Sequence, residues 1–367
     1  MLSFRRITAA LAVAAALLGS TLSADARLVT DHLGREVNVP DTVNRVVTTT
    51  ILPYASVATV FLGGGEKIVG MHPVSMTAAK TGLLSEIYPE VLKANTSFIK
   101  GSSLNIEALM ALKPDVVFVN AGDRNQIEQL ENAGIPALAV SVSKWDYDVL
   151  KTYDHWIELL GQVFPDRAKT DKAAAYSKKI AELIAERTAK LPDSDRRNVL
   201  FVFQYDAKRL VTSGRHFFGQ YWCDAIGARN AAESVEADNQ NAQISMEQVY
   251  KWNPDVVLVT NFTPVVPADI YAGRLNDWSH VKAVAEKKVY KLPLGIYRSY
   301  TPSADTPMTL LWMAKTVYPQ TFSDIDLTHE VKAYYKELYG IELTDAQVAS
   351  IYEPRANRAE GFSQSGR

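Results

Sequence analysis

Residues 104–120 read LNIEALMALKPDVVFVN, and residues 244–260 read ISMEQVYKWNPDVVLVT. The offset is 140 throughout: Glu107 falls on Glu247, Pro114 on Pro254, and Asp115-Val116-Val117 on Asp255-Val256-Val257. Each copy predicts a short helix behind an N-cap residue (Asn105, Ser245), a Pro-Asp turn, and an apolar β-branched run that reads as a buried strand. The period is far too long for a solenoid, so the unit is used twice, once in each of two similar lobes. Between the copies, residues 166–191 (DRAKTDKAAAYSKKIAELIAERTAKL) contain no Gly and no internal Pro. Their apolar residues Ala173, Tyr176, Ile180, Leu183, Ile184 and Leu191 share one helical face. Read as one helix between Pro165 and Pro192, the segment would span ~39 Å and join the lobes.

The outer bounds agree with a two-lobed protein. The chain has 367 residues, 47% hydrophobic and 22% charged, with a formal charge of −2. That balance gives no reason to expect a nucleic-acid partner. One cysteine, Cys223, excludes an internal disulfide framework and a multi-cysteine metal site. Residues 1–26 read as a signal peptide: Arg5-Arg6, an apolar stretch from Ile7 to Gly19, and Ala24-Asp25-Ala26 as the cleavage site. No cysteine lies there to carry a lipid, so a soluble periplasmic protein is expected. The domain boundaries expected are 27–165 for the N-terminal lobe, 166–191 for the inter-lobe helix, 192–354 for the C-terminal lobe, and 355–367 for a disordered tail.

Along the chain, residues 28–47 read as a hairpin followed by a strand, and Pro53 opens a helix that Gly63-Gly64-Gly65 ends. Lys67 to Met71 is a strand, His72 to Thr81 a loop, Gln126 to Ala133 a helix, and Ala137 to Val142 a strand. Residues 147–163 form an amphipathic helix. The second lobe repeats the alternation: strand 199–203, helix 218–226, the second repeat, strand 288–292, and a helix behind Thr306-Pro307. Such βαβα alternation predicts an α/β fold, each lobe a mainly parallel sheet flanked by helices.

Ligands of open parallel sheets bind beyond the carboxyl ends of the strands. Two facing lobes would then form a cleft from loops 48–56, 72–78, 97–103 and 120–124 of one and 204–208, 212–218, 261–267 and 294–301 of the other. These segments hold Tyr54, His72, Lys100, Arg124, Tyr205, Arg215, His216, Tyr297, Arg298 and Tyr300. Arg with Tyr suits a bulky anion with flat faces, the guanidinium pairing with oxygens and the rings stacking.

With these segments in hand, the chain resembles the helical-backbone class of periplasmic binding proteins of ABC importers. The resemblance rests on NIEALMALKPDVV and SMEQVYKWNPDVV, the single inter-lobe helix, YWCDAIGARNAAE, and the end LLWMAKTVYP…VKAYYKELYGIELTDAQ. It implies limited hinge motion, a monomer, no enzymatic activity, and a cargo such as an iron–siderophore complex, haem or cobalamin. It also implies that Glu107 and Glu247 dock into Arg residues of the membrane permease. No cofactor is expected, and the cargo expected is an iron(III) complex, a ferric siderophore first. Relatives that contact metal through a His have it where this chain has Cys223, so direct coordination by the protein is not expected. Cobalamin, haem and a small oxyanion such as molybdate remain alternatives, the last bound through backbone N–H groups at helix N-termini. An extracytoplasmic enzyme on a related fold is the alternative of a different class, without a nucleophile elbow, metal motif or phosphate loop to support it.

Overall fold

A computed structural model describes residues 26–167, 169–237 and 242–354. Residues 1–25 of the segment expected as a signal peptide, and the tail expected at 355–367, lie outside the described residues. Ala26, assigned to the leader, opens a strand to Thr30 and pairs with Pro40 in the hairpin with Glu36–Pro40.

Each lobe is built on one four-stranded parallel sheet. In the first, the strands lie in the order Ile68–Gly70, Val46–Thr48, Val116–Asn120, Ala137–Val140. In the second the order is Arg229–Asn230, Asn198–Val202, Val256–Val259, Val289–Lys291. Numbered within its own lobe, each sheet runs 2-1-3-4, so the repeat in sequence is a repeat in topology. Its details match as well. Asp115 Oδ2 accepts from the backbone of Asn44 and Arg45, and Asp255 Oδ2 accepts from Asn198, each at 2.7–2.8 Å. The short helices Ile106–Met110 and Met246–Trp252 are followed by Lys113 and Asn253, which hold φ of +48° and +41°.

The strands alternate between two cores, as a period of two requires. Val117 and Val119 pack into a cluster on the outer face of the first lobe, and Val257 and Val259 into one on the outer face of the second. Val116, Phe118, Val256 and Leu258 point the other way, into a single apolar cluster that contains residues of both lobes.

The helices at that seam include the inter-lobe helix, which is shorter than its sequence suggested. It runs Thr170–Thr188, about 28 Å at 1.5 Å per residue. Pro165–Arg167 form a separate 3-10 turn ahead of it. Ala173, Ser177, Ile180, Ile184 and Thr188 are its buried face. It packs on the helices Val149–Val163 and Thr306–Val317. Arg187 fastens its far end, donating to both oxygens of Asp324 at 2.6 and 2.9 Å.

A second difference lies at residues 73–81, expected as loop and found as a helix. Pro73 sits at its first turn, where a missing N–H costs nothing. No helix among the described residues is long and apolar enough to cross a membrane.

Candidate ligand-binding cleft

The carboxyl ends of the two sheets face a cavity of about 210 Å³. The first lobe supplies Thr50 to Pro53, Asn120, Val142 and Tyr147, and the second supplies Phe203, Phe217, Phe218, Phe262, Tyr297 and Thr301. Loops 48–56, 120–124, 212–218, 261–267 and 294–301 therefore contribute, as expected from the strand ends. Segments 72–78, 97–103 and 204–208 do not. Val142 and Tyr147, expected as a strand end and a helix start, lie between the strand Ala137–Val140 and the helix Val149–Val163 and add to the lining.

Two helices begin at this cavity, one from each lobe. Tyr54–Leu62 starts behind Ile51, Leu52 and Pro53, and Phe218–Ala225 starts at Phe217. Neither N-cap residue, Pro53 or Phe217, supplies a side-chain cap, though Ser213 Oγ accepts from Gly219 N at 2.8 Å in the first turn of the second helix. The first N–H groups of a helix carry a partial positive charge, so two such ends make an electropositive floor under an apolar wall.

Tyr297 and Arg298 share the loop beyond the last strand, and both are fully buried. Tyr297 lines the cavity. Burial pushes its phenol above the ordinary value, while Arg298, by charge and by a hydrogen bond, pulls it down. The Arg298 guanidinium lies 5.3 Å from the Phe262 ring centre and 5.9 Å from that of Tyr297. Its charge thus stands directly behind two cavity walls, where low polarity strengthens it. The loop is pinned from several sides. Asp305 Oδ2 accepts from Ile296 N at 2.9 Å, and its other oxygen accepts from Tyr335. Burial raises the Asp305 carboxyl to about 6. Across the seam, Leu83 N of the first lobe donates to Gly295 O at 2.8 Å.

The other residues singled out from the sequence sit elsewhere. Tyr54 is core, its ring against Phe118 and Trp156. Tyr205 is core too, its hydroxyl accepting from Asn276 and Trp278 at 2.9 and 3.0 Å. Tyr300 is buried among Phe201, Phe203, Phe217 and Phe218, one layer behind the cavity wall. His72 caps the helix Pro73–Thr81, its Nδ1 accepting from Val74 N at 3.1 Å and its Nε2 3.0 Å from Gly101 O. Burial lowers its pKa, and the Gly101 carbonyl offsets part of that. Lys100 and Arg124 are exposed. Arg215 is exposed between Glu233 and Glu236, and His216 meets Glu236 at 3.2 Å. Cys223 is fully buried. Among the described residues no group of three His, Cys, Asp or Glu could hold a metal ion.

The signal that could have found the aromatic wall was present: Phe203, Phe217-Phe218 and Phe262 all sit just past strands. An apolar residue beyond a strand reads equally well as core, so the loops were expected at the cleft without these rings being singled out.

Glu107 and Glu247 are exposed, each the second residue of its short helix. Asn105 caps the first through Ala108 N, and Ser245 with Gln248 makes a capping box on the second.

Comparison with known proteins supplies the context. The molybdate-binding protein MolA of Haemophilus influenzae is 30% identical over 85% of this chain and 91% of its own. The Fe(3+)-citrate-binding protein YfmC of Bacillus subtilis is 25% identical over 74% of this chain and 80% of its own. A solved periplasmic solute-binding protein of Veillonella parvula superposes with a TM-score of 0.78 at 29% identity, covering 89% of this chain and 97% of that one. The family described as periplasmic binding protein matches residues 52–294, and with the twin 2-1-3-4 sheets facing one cleft across a helical seam, the chain belongs to that family, as a binding protein of an ABC importer.

Proposed function

We propose that this protein captures a small oxyanion of the molybdate class in the inter-lobe cavity, in the periplasm, and presents it to an ABC permease through Glu107 and Glu247. The observation that carries the reading is the pair of helix N-termini, one from each lobe, opening on one small cavity with Arg298 behind its wall. An anion gains from both helix dipoles at once, and the hydroxyl of Tyr297, beside Arg298 in the cavity wall, is a further donor. Volume supports a small cargo: about 210 Å³ lies below the roughly 300–1,000 Å³ of sites for drug-sized ligands. The relative that binds molybdate agrees with this reading. The aromatic wall favours a second one, a compact ferric carboxylate chelate stacked on Phe217 and Phe262.

Calorimetric titration of the purified protein with molybdate, tungstate, sulfate and ferric citrate decides between them. Molybdate is expected to bind, and Arg298→Met to weaken it, because the positive charge behind the wall is lost. Binding of ferric citrate without molybdate would replace the first reading by the second.

A further inference from the structure

Asp146 and Tyr147 are consecutive non-glycine residues in the left-handed region, at φ +52° and +59°. L side chains adopt that region at a cost, and two in a row persist only where the surroundings over-determine them. Here the surroundings do so from both ends. Asp146 N donates to Ser143 O at 3.1 Å, and Asp148 N donates to Trp145 O at 2.9 Å. Asp148 then caps the helix Val149–Val163 through Lys151 N at 2.9 Å. Its carboxylate also takes a hydrogen bond from Tyr221, which belongs to the second lobe. The turn is therefore clamped between a helix start of one lobe and a helix of the other.

The clamp has one visible result. It carries the Tyr147 ring over the gap between the lobes, edge-on to Phe217 at 5.4 Å and Phe218 at 5.1 Å. Tyr147 is half-buried and lines the cavity together with those two rings. A glycine would hold this turn without strain. The strain is offset by what the ring does: it closes the cleft on the side of the first lobe.

We propose that Tyr147 sets the size of ligand the cleft admits, rejecting cargo larger than a small oxyanion by occupying the space that cargo would need. The proposal rests on the inter-lobe cavity being the binding site. Removing the ring leaves space where the cleft is now closed by its edge-on contacts with Phe217 and Phe218. The cavity of about 210 Å³ thereby grows toward the size that accepts a multi-atom chelate. Discrimination by size in this way works through a clash with the wrong ligand, not an added contact with the right one.

The test compares wild type, Tyr147→Gly and Tyr147→Ala, with molybdate and ferric citrate as probes. The glycine variant suits the positive φ and removes strain with the ring, so it folds even if alanine at that φ does not. The readout is the ratio of the molybdate Kd to the ferric citrate Kd. It is expected to shift toward ferric citrate by about tenfold, the order set by a change of pocket volume. A shift of less than threefold in the folded variants, or a shift toward molybdate, overturns the role of Tyr147. The wild-type arm separates the two claims. Wild type preferring ferric citrate overturns the oxyanion reading, while the size filter still stands or falls on the change in ratio. Wild type binding neither probe overturns both.

Discussion

Lys291→Met removes an ammonium while keeping most of its volume. Lys291 closes the last strand of the second sheet and is almost wholly buried. Its Nζ donates to the carbonyls of Thr260, Thr263 and Val265 at 2.8, 2.7 and 2.7 Å. Those carbonyls belong to the loop that carries Phe262 to the cavity wall, so one side chain ties the wall to the sheet. Leaving a buried acceptor without its donor costs about 1–3 kcal/mol, or roughly 3–9 for three. Relief from burying a charge returns several of these. The net expectation is a loss of about 2–4 kcal/mol at neutral pH. Burial pushes Lys291 down from 10.5 to about 7, with Asp269 opposing and Arg298 adding to the shift. Between those two values the unfolded chain holds the proton that the folded one has released. Wild-type stability from this site therefore rises as pH climbs from about 7 toward 10.5, and the methionine variant lacks that rise. Urea unfolding of both proteins at neutral pH and near pH 9.5 measures the gap. A variant as stable as wild type at pH 7, or a gap that narrows as pH rises, would refute the reasoning.

Replacing Glu107 and Glu247 together by Ala is expected to leave the affinity of the purified protein for its ligand intact and to lower uptake by cells sharply. Each change removes only a first-turn carboxylate, about 0.3–1 kcal/mol, and full uptake would reduce both residues to helix-dipole partners. Gly82→Ala would place a Cβ 2.7 Å from Gly295 O, on the backbone of the loop that carries Arg298. It should destabilise by about 1–3 kcal/mol, as overpacking does, and weaken ligand binding in the same titration, whereas an unchanged melting temperature would show that the seam yields. Small-angle scattering with and without ligand should show almost the same radius of gyration, because the apolar seam cluster contains residues of both lobes; a large compaction would count against that.

The architecture was legible because it is written twice. An offset of 140 residues with matched Pro, Asp and Glu could only come from one unit repeated, and the twin sheet orders follow from it. The strand-end rule found the loops holding Thr50, Asn120, Phe217, Phe262 and Tyr297. Side chains within those loops were less legible. Tyr54, Tyr205 and Tyr300 have the right chemistry on the right segments, yet a half-turn of backbone sends each ring into the core. Arg215 and Arg298 look alike in sequence, but one meets glutamates in solvent and the other is sealed behind a wall. Tyr147 was hidden for another reason. Its position depends on a left-handed backbone that glycine would have advertised and that Asp-Tyr conceals.

The shared apolar seam also governs how the molecule can change over time. Duplicated halves usually keep the option of separating, recombining or being swapped among relatives. Here Val116, Phe118, Val256 and Leu258 belong to one cluster with residues of the helices Val149–Val163, Thr170–Thr188 and Thr306–Val317. Neither half could shed its partner without exposing that cluster, so the two should melt in one cooperative transition. A hybrid that joined one half to a relative's other half would have to bring all three seam helices with it. New cargo is then reached by exchanging residues on the loops at the cleft, one position at a time, while the duplicated frame stays fixed.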